Sequence, residues 1–274
     1  MTAAATSFAR NPALAPVVAP APGQTFEVDC ARSYQLTGLA DFVFQIHILQ
    51  AMGQRVLNES FVVTLPLPVH GFTDATLLQR CARMHAEAGS FELRYRARVQ
   101  RAPDPLDKLA PQVASTDLPD EWRHKLVPSR RCEFDLPGKT AQRRFNGAPP
   151  GHARVQALAA GVHANIEPRV ASTRATTAAR DVFAHLGATL CRVVNIPPRL
   201  VTGWARLAEP PPDFHTVFEA CLGGRWVRCV ATRMSPLDAL VRIAVGRDAK
   251  DAAFATIFGP AAMTAMSPPT QRAG

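Results

Sequence analysis

The residues in this sequence best equipped for covalent chemistry are six cysteines, at positions 30, 81, 132, 191, 221 and 229. Their spacing decides which chemistry is open to them. None forms a C-x-x-C pair and none sits with histidines at zinc-ligand spacing, so neither a metal centre nor a cofactor is expected. Nucleophilic catalysis remains, and a thiolate nucleophile needs a helix N-terminus or a cationic neighbour to lower its pKa. Cys191 has no such setting. It falls in the middle of a predicted helix over 177–195, beside Ala184, Gly187 and Ala188, and reads as a small buried hydrophobe. A reduced, cytoplasmic set of thiols is the expectation.

The elements that would position these residues can be read from periodicity. Stepped at about 100° per residue, Val182, Phe183, Leu186, Leu190, Val193 and Val194 form one apolar stripe of the helix, predicted to face the core. His185 and Arg192 fall on its polar side, and Ile196-Pro197-Pro198 ends it. Farther on, FHTVFEACL and RWVRCVA flank Gly223-Gly224, a two-residue hairpin signal. Pairing Leu222 with Arg225 puts His215 opposite Thr232, with Val230 a diagonal neighbour, and sets Glu219 opposite Arg228 as a cross-strand ion pair. By parity Cys221 and Cys229 project to opposite faces, which disfavours a disulfide between them.

Upstream, FELRYRARV alternates Phe91, Leu93, Tyr95, Ala97 and Val99 with Glu92 and three arginines, the pattern of a strand with one buried face. FVFQIHI from Phe42 and FVVTLPL from Phe61 also have strand composition. Pro103, Pro105 and Pro111 mark a linker, after which LPDEWRHKL and HARVQALAAGVHANI look helical, the latter with Val155, Leu158, Ala159 and Val162 at helical spacing. Residues 1–27 are Ala/Pro-rich without periodicity and are expected to be a disordered leader. No apolar run is long enough for a membrane span. The formal net charge is +9, but only Lys108, Lys125, Lys139 and Lys250 among the 31 basic residues are lysines, and the arginines are scattered, so no nucleic-acid partner is expected.

AHLGATLCRVVNIPPRLVTGW, with PPDFHTVFEACLGGRWV and VRIAVGRDAKDAAFATIFGP, closely resembles the bacterial transglutaminase-like family of papain-like cysteine enzymes, and the likeness reaches back through STRATTAARDVF and PSRRCEFD. The resemblance implies an α+β fold: a β-rich N-terminal domain over 28–112, a papain-like core over 113–263 and a tail over 264–274. It also implies that His215 is the general base of a Cys-His-Asp triad. In that family a segment reading roughly GVCRDF, which carries the nucleophile at a helix start, precedes AHL. Here DVF runs directly into AHL. A deletion that fused two helices accounts for this; an ungapped register instead puts Arg180 at the nucleophile position. The family's FDPT motif reads CVAT here, so Val230 stands in place of the aspartate that would orient the imidazole.

The expectation is therefore a catalytically degenerate family member, with His215 a residual triad base or a histidine kept by packing, acting as a binding or interaction module for a protein or peptide. The alternative is an active amidase, peptidase or transglutaminase that uses a relocated thiol within reach of His215. A third reading is gene decay with poor folding, since removing a loop in front of a core helix disturbs close packing.

Overall fold

The computed structural model describes residues 23–50, 53–104, 107–132, 143, 145–165, 173–205, 213–229, 240–266 and 270–273. Its architecture is α+β, as the resemblance implies. The N-terminal part builds two sheets from β1 (Gln24–Leu36), β2 (Ala40–Phe44), β3 (Gln54–Val63), β4 (His70–Thr73), β5 (Arg80–Ala86) and β6 (Gly89–Arg101). One sheet runs β12-β1-β6-β3 and the other β11-β2-β5-β4, where β11 is Ala255–Phe258 and β12 is Ala261–Met266. Their buried faces meet in an aromatic core: Tyr34 of β1 stacks on Phe91 of β6 at 5.2 Å and meets Phe42 of β2 edge-on at 5.4 Å. The alternation expected of β6 holds, with Phe91, Leu93, Tyr95, Ala97 and Val99 all buried.

Two boundaries differ from those expected. β1 begins at Gln24 and pairs along its whole length with β6, so residues 24–27 are strand rather than leader; residues 1–22 lie outside the described residues. At the other end, β11 pairs with β2, while β12 and β13 (Thr270–Ala273) pair with β1, so these segments complete the N-terminal sheets instead of continuing the core or forming a tail. The Ala/Thr-rich composition of these strands hides them: edge strands without a strong apolar alternation are recognised only through the partner they pair with.

The core sheet runs β10-β7-β8-β9, with β7 at Pro198–Ala205, β8 at Asp213–Leu222, β9 at Arg225–Cys229 and β10 at Leu240–Gly246. Within LPDEWRHKL only α1 (Asp120–Arg123) is helical, a single turn. α2 (His152–Asn165) buries Val155, Leu158, Ala159 and Val162, as its spacing predicts. α3 (Thr173–Val193) starts four residues before the expected Thr177 and ends in a left-handed turn. Asn195 has φ of +57°, and Ile196 N–H reaches back to the Cys191 carbonyl at 2.9 Å while Asn195 N–H reaches Arg192, the paired closure of a Schellman cap.

The predicted core stripe of α3 is only partly the buried one. Val182 is 52% exposed, whereas the small strip of Ala184, Ala188 and Cys191 is buried and faces β8, where Phe218 lies against Gly187. Small residues win this face because they let the helix axis approach the sheet. His185 and Arg192 are buried too, as anchors rather than solvated groups: Ala249 N–H donates to His185 Nε2 at 3.1 Å, and Arg192 donates to the carbonyls of Lys125 and Arg247 at 2.9 and 2.8 Å. Two buried glutamines tie the N-terminal sheets to the core. Gln54 of β3 donates to the Arg242 carbonyl and accepts its N–H at 2.7 Å, and Gln79 donates to the Val245 carbonyl at 2.6 Å.

Candidate functional site

His215 sits near the start of β8, one of the two central strands of the core sheet, opposite Gly203 of β7. It is 1% exposed. Gly203 has to be glycine because a Cβ there would lie 2.1 Å from the Val241 carbonyl oxygen of β10. Next along the strands, Trp204 of β7 pairs with Phe214 of β8, their rings edge-to-face at 5.2 Å, and Phe254 closes on both at 6.5 and 5.3 Å. Arg32 lies over this aromatic group, 5.0 Å from the Phe254 ring centre. His215 follows Phe214 in β8 and Gly203 precedes Trp204 in β7, so the alternation of strand side chains puts the imidazole on the face of the sheet opposite this aromatic group.

The hairpin register expected from Gly223-Gly224 is the observed one. Leu222 pairs with Arg225 and Glu219 with Arg228, and both glycines have positive φ, +54° and +76°, as a type I′ turn requires. Cys221 pairs with Trp226 and Cys229 with Phe218, so the two thiols do point to opposite faces, and both are free. Strand β9 is described as far as Cys229. Val230 and Thr232, the expected neighbours of His215, lie outside the described residues.

All six cysteines are buried, and burial sets their chemistry. It pushes the Cys30, Cys81 and Cys221 thiols up to about 11 and Cys191 to about 12, and it raises Cys229 well above the ordinary range. Each of these is a protonated thiol near neutral pH, the opposite of an activated nucleophile. Cys191 lies three turns beyond position 180 in α3, on the order of 16 Å away along a helix of 1.5 Å rise. Cys221 shares the His215 face of β8 but stands six residues away, roughly 20 Å along a strand. Cys132 rests against the His185 carbonyl, with Sγ at 3.6 Å.

On the same face of β8 as His215, Glu219 is completely buried. The expected pair with Arg228 is there at 3.8 Å, but two other arginines hold the carboxylate more closely. Arg199 of β7 donates to Oε2 at 2.8 and 2.5 Å, and Arg242 of β10 donates to Oε1 at 2.8 and 3.1 Å. Burial alone would raise the Glu219 pKa; the charges of Arg199, Arg242 and Arg228 outweigh it and hold it down at about 2. No sequence signal marked Arg242 or Arg199, because they come from strands brought beside β8 only by the sheet order. Asp248 and Asp251 cap the turn after β10, accepting the N–H groups of Lys250 and Arg247 at 2.8 and 2.9 Å.

A cavity of about 630 Å³ opens elsewhere, on the β1-β6-β3 sheet, lined by Asp29, Ser60, Arg96 and Arg98 among others. It belongs to a different sheet from His215. Among the described residues no helix is long and apolar enough to cross a membrane.

The profile of the transglutaminase-like superfamily matches residues 139–231, the span that holds α2, α3 and the β7-β8-β9 strands. Among solved structures the chain is similar to a candidate cysteine protease from Cytophaga hutchinsonii, at 33% identity and a TM-score of 0.84, over 92% of this chain and 91% of that one. No curated protein matches the chain.

Proposed function

Since the chain belongs to the transglutaminase-like superfamily, we propose that it is a catalytically degenerate member that keeps the fold as a binding or interaction module for a protein or peptide. The observation that carries this reading is the continuity of α3. The helix runs unbroken from Thr173 to Val193, through Arg180 and into Ala184-His185-Leu186, where the family's pattern would break for the loop that carries the nucleophile. A base with no thiolate to activate has no acyl chemistry to perform.

The cysteines support the same reading. Five of the six are held as thiols by burial, so a relocated nucleophile would have to work against its own pKa. Six free cysteines also suit a reducing, cytoplasmic compartment. Intimate helix-sheet packing at Gly187 and Phe218 argues against gene decay, because a core disrupted by a chance deletion would not retain such an approach.

The test is an activity assay of the unmodified chain on amide and glutamine-amine transfer substrates. No turnover that iodoacetamide blocks is expected. Thiol-dependent hydrolysis or transfer that His215→Ala abolishes would sink the proposal and establish the active-enzyme alternative.

A further inference from the structure

The outward face of the β1-β6-β3 sheet carries a grid of side chains set by the strand register. Glu27, Arg98 and Asn58 stand opposite one another in one row, and Asp29, Arg96 and Ser60 in the next. These six are among the residues that line the cavity of about 630 Å³, a volume within the range of about 300–1,000 Å³ found for ligand-sized clefts. All six side chains are charged or polar. An occupant therefore has to bring polar groups of its own, because it desolvates theirs.

The charges of this grid are unevenly used. Asp29 accepts two hydrogen bonds from Arg94, at 2.8 and 2.7 Å, and one from Arg96 Nε at 3.1 Å. The Arg94 bond first, and Arg96 after it, hold the Asp29 carboxyl below the usual carboxylate range against the effect of burial. Asp29 is thus committed, while Arg96 keeps its Nη edge open. Arg98 has Glu27 opposite it in the register, yet its side chain takes part in no ion pair or hydrogen bond among the described residues. Strand β3 offers a second opening. It ends the sheet order, and beyond the register shift at Leu57 its outer edge, from Asn58 to Val63, pairs with nothing among the described residues.

We propose that this face binds an extended acidic peptide segment, which runs beside β3 and directs alternate carboxylates into the cavity, onto Arg98 and the open edge of Arg96. The spacing fits: Arg96 and Arg98 are two residues apart on β6, about 6.8 Å along a strand, the same interval that separates side chains i and i+2 of an extended chain. Guanidinium forks pair bidentately with carboxylates. The free edge of β3 supplies main-chain hydrogen bonds of the kind by which peptides add to sheets. The formal net charge of +9 draws an acidic partner towards the chain. The partner class rests on the binding-module reading; the site rests on the β1-β6-β3 sheet alone, which is not the sheet that carries His215.

The experiment is fluorescence anisotropy of a labelled peptide that alternates Thr and Glu, titrated with the full chain at constant ionic strength. Saturable binding that weakens as salt is raised is expected. The same peptide with Gln in place of Glu should bind about tenfold more weakly or worse, a comparison that needs no variant. Arg98→Gln should weaken binding of the acidic peptide by about tenfold, the loss of one charge-assisted contact, and Arg98→Glu should abolish it. Arg98 is exposed, so both variants should melt with the parent, and Arg225→Glu, an exposed charge reversal on the β8-β9 hairpin, should bind as the parent does. Equal binding of the Gln peptide, or unaltered binding in Arg98→Glu, overturns the site. Free glutamate competing as well as the peptide, or a single-stranded oligonucleotide binding more tightly, overturns the occupant. Failed peptide binding without thiol-dependent turnover defeats this proposal alone, whereas such turnover with peptide binding intact defeats only the degenerate-enzyme reading.

Discussion

Gly187 of α3 lies flat against the ring of Phe218 in β8: a Cβ on the glycine would stand 2.3 Å from Cε1 and 2.5 Å from Cδ1. Phe218 is fully buried, so the ring has nowhere to retreat. This contact sets the distance between the helix and the sheet that carries His215.

Gly187→Ala is expected to destabilise the protein, although alanine is the better helix former by about 1 kcal/mol. Overpacking a tight core costs about 1–3 kcal/mol, and here the methyl meets a ring that cannot move. Urea unfolding should show a lower midpoint with an unchanged slope; a midpoint at or above that of the parent would refute the packing argument.

Glu219→Gln should be severe. It removes the buried charge that Arg199 and Arg242 both pair with, and breaking a buried pair on one side costs about 3–5 kcal/mol. The pH dependence has a definite sign. With its pKa lowered from 4.5 to about 2 in the fold, Glu219 contributes stability that is fully present above pH 4.5 and is lost as the pH falls from there towards 2. Acid titration of the melting temperature should therefore fall less steeply over that window in the Gln variant than in the parent.

Thiol labelling offers a direct check on the cysteines. In the native protein at pH 7.5 the five thiols raised by burial should resist iodoacetamide, and all six should react once the chain is unfolded. One native site alkylated within minutes, with His215→Ala slowing it, would point to an activated cysteine.

Tyr95→Phe tests the N-terminal sheets. The Tyr95 hydroxyl accepts the Ile48 N–H at 3.1 Å and donates to Glu59 Oε2 at 2.8 Å, with Arg80 gripping the same carboxylate. Removing the hydroxyl strands a buried N–H, a loss of about 1–3 kcal/mol. Thermal unfolding of the variant should show it without any change in the hydrogen-exchange protection of the distant β8-β9 hairpin.

Much of the local structure was legible in the residues. The alternation of Phe91 to Val99, the helical spacing of Val155 to Val162, and the Gly223-Gly224 turn with its Leu222–Arg225 register each depend on near neighbours in the chain, where periodicity and turn chemistry act directly. The family likeness of the stretches around His215 was legible for the same reason: each motif is contiguous in sequence.

Contacts between distant segments were not legible. Which face of α3 is buried was decided by Phe218 pressing on Gly187, so the small strip of Ala184, Ala188 and Cys191 won over part of the apolar stripe, and Val182 was left in solvent. Strands β11, β12 and β13 became visible only beside β2 and β1, and Arg242 and Asp104 met Glu219 only through the sheet order β10-β7-β8-β9 and the linker after β6. A sequence by itself determines what a segment prefers, because backbone and side-chain preferences are local. Which buried charge is shared, and which helix face goes inward, depends on segments that lie apart in the sequence, by 23 residues for Arg242 and Glu219 and by 138 for Arg242 and Asp104, and only the tertiary structure brings those together.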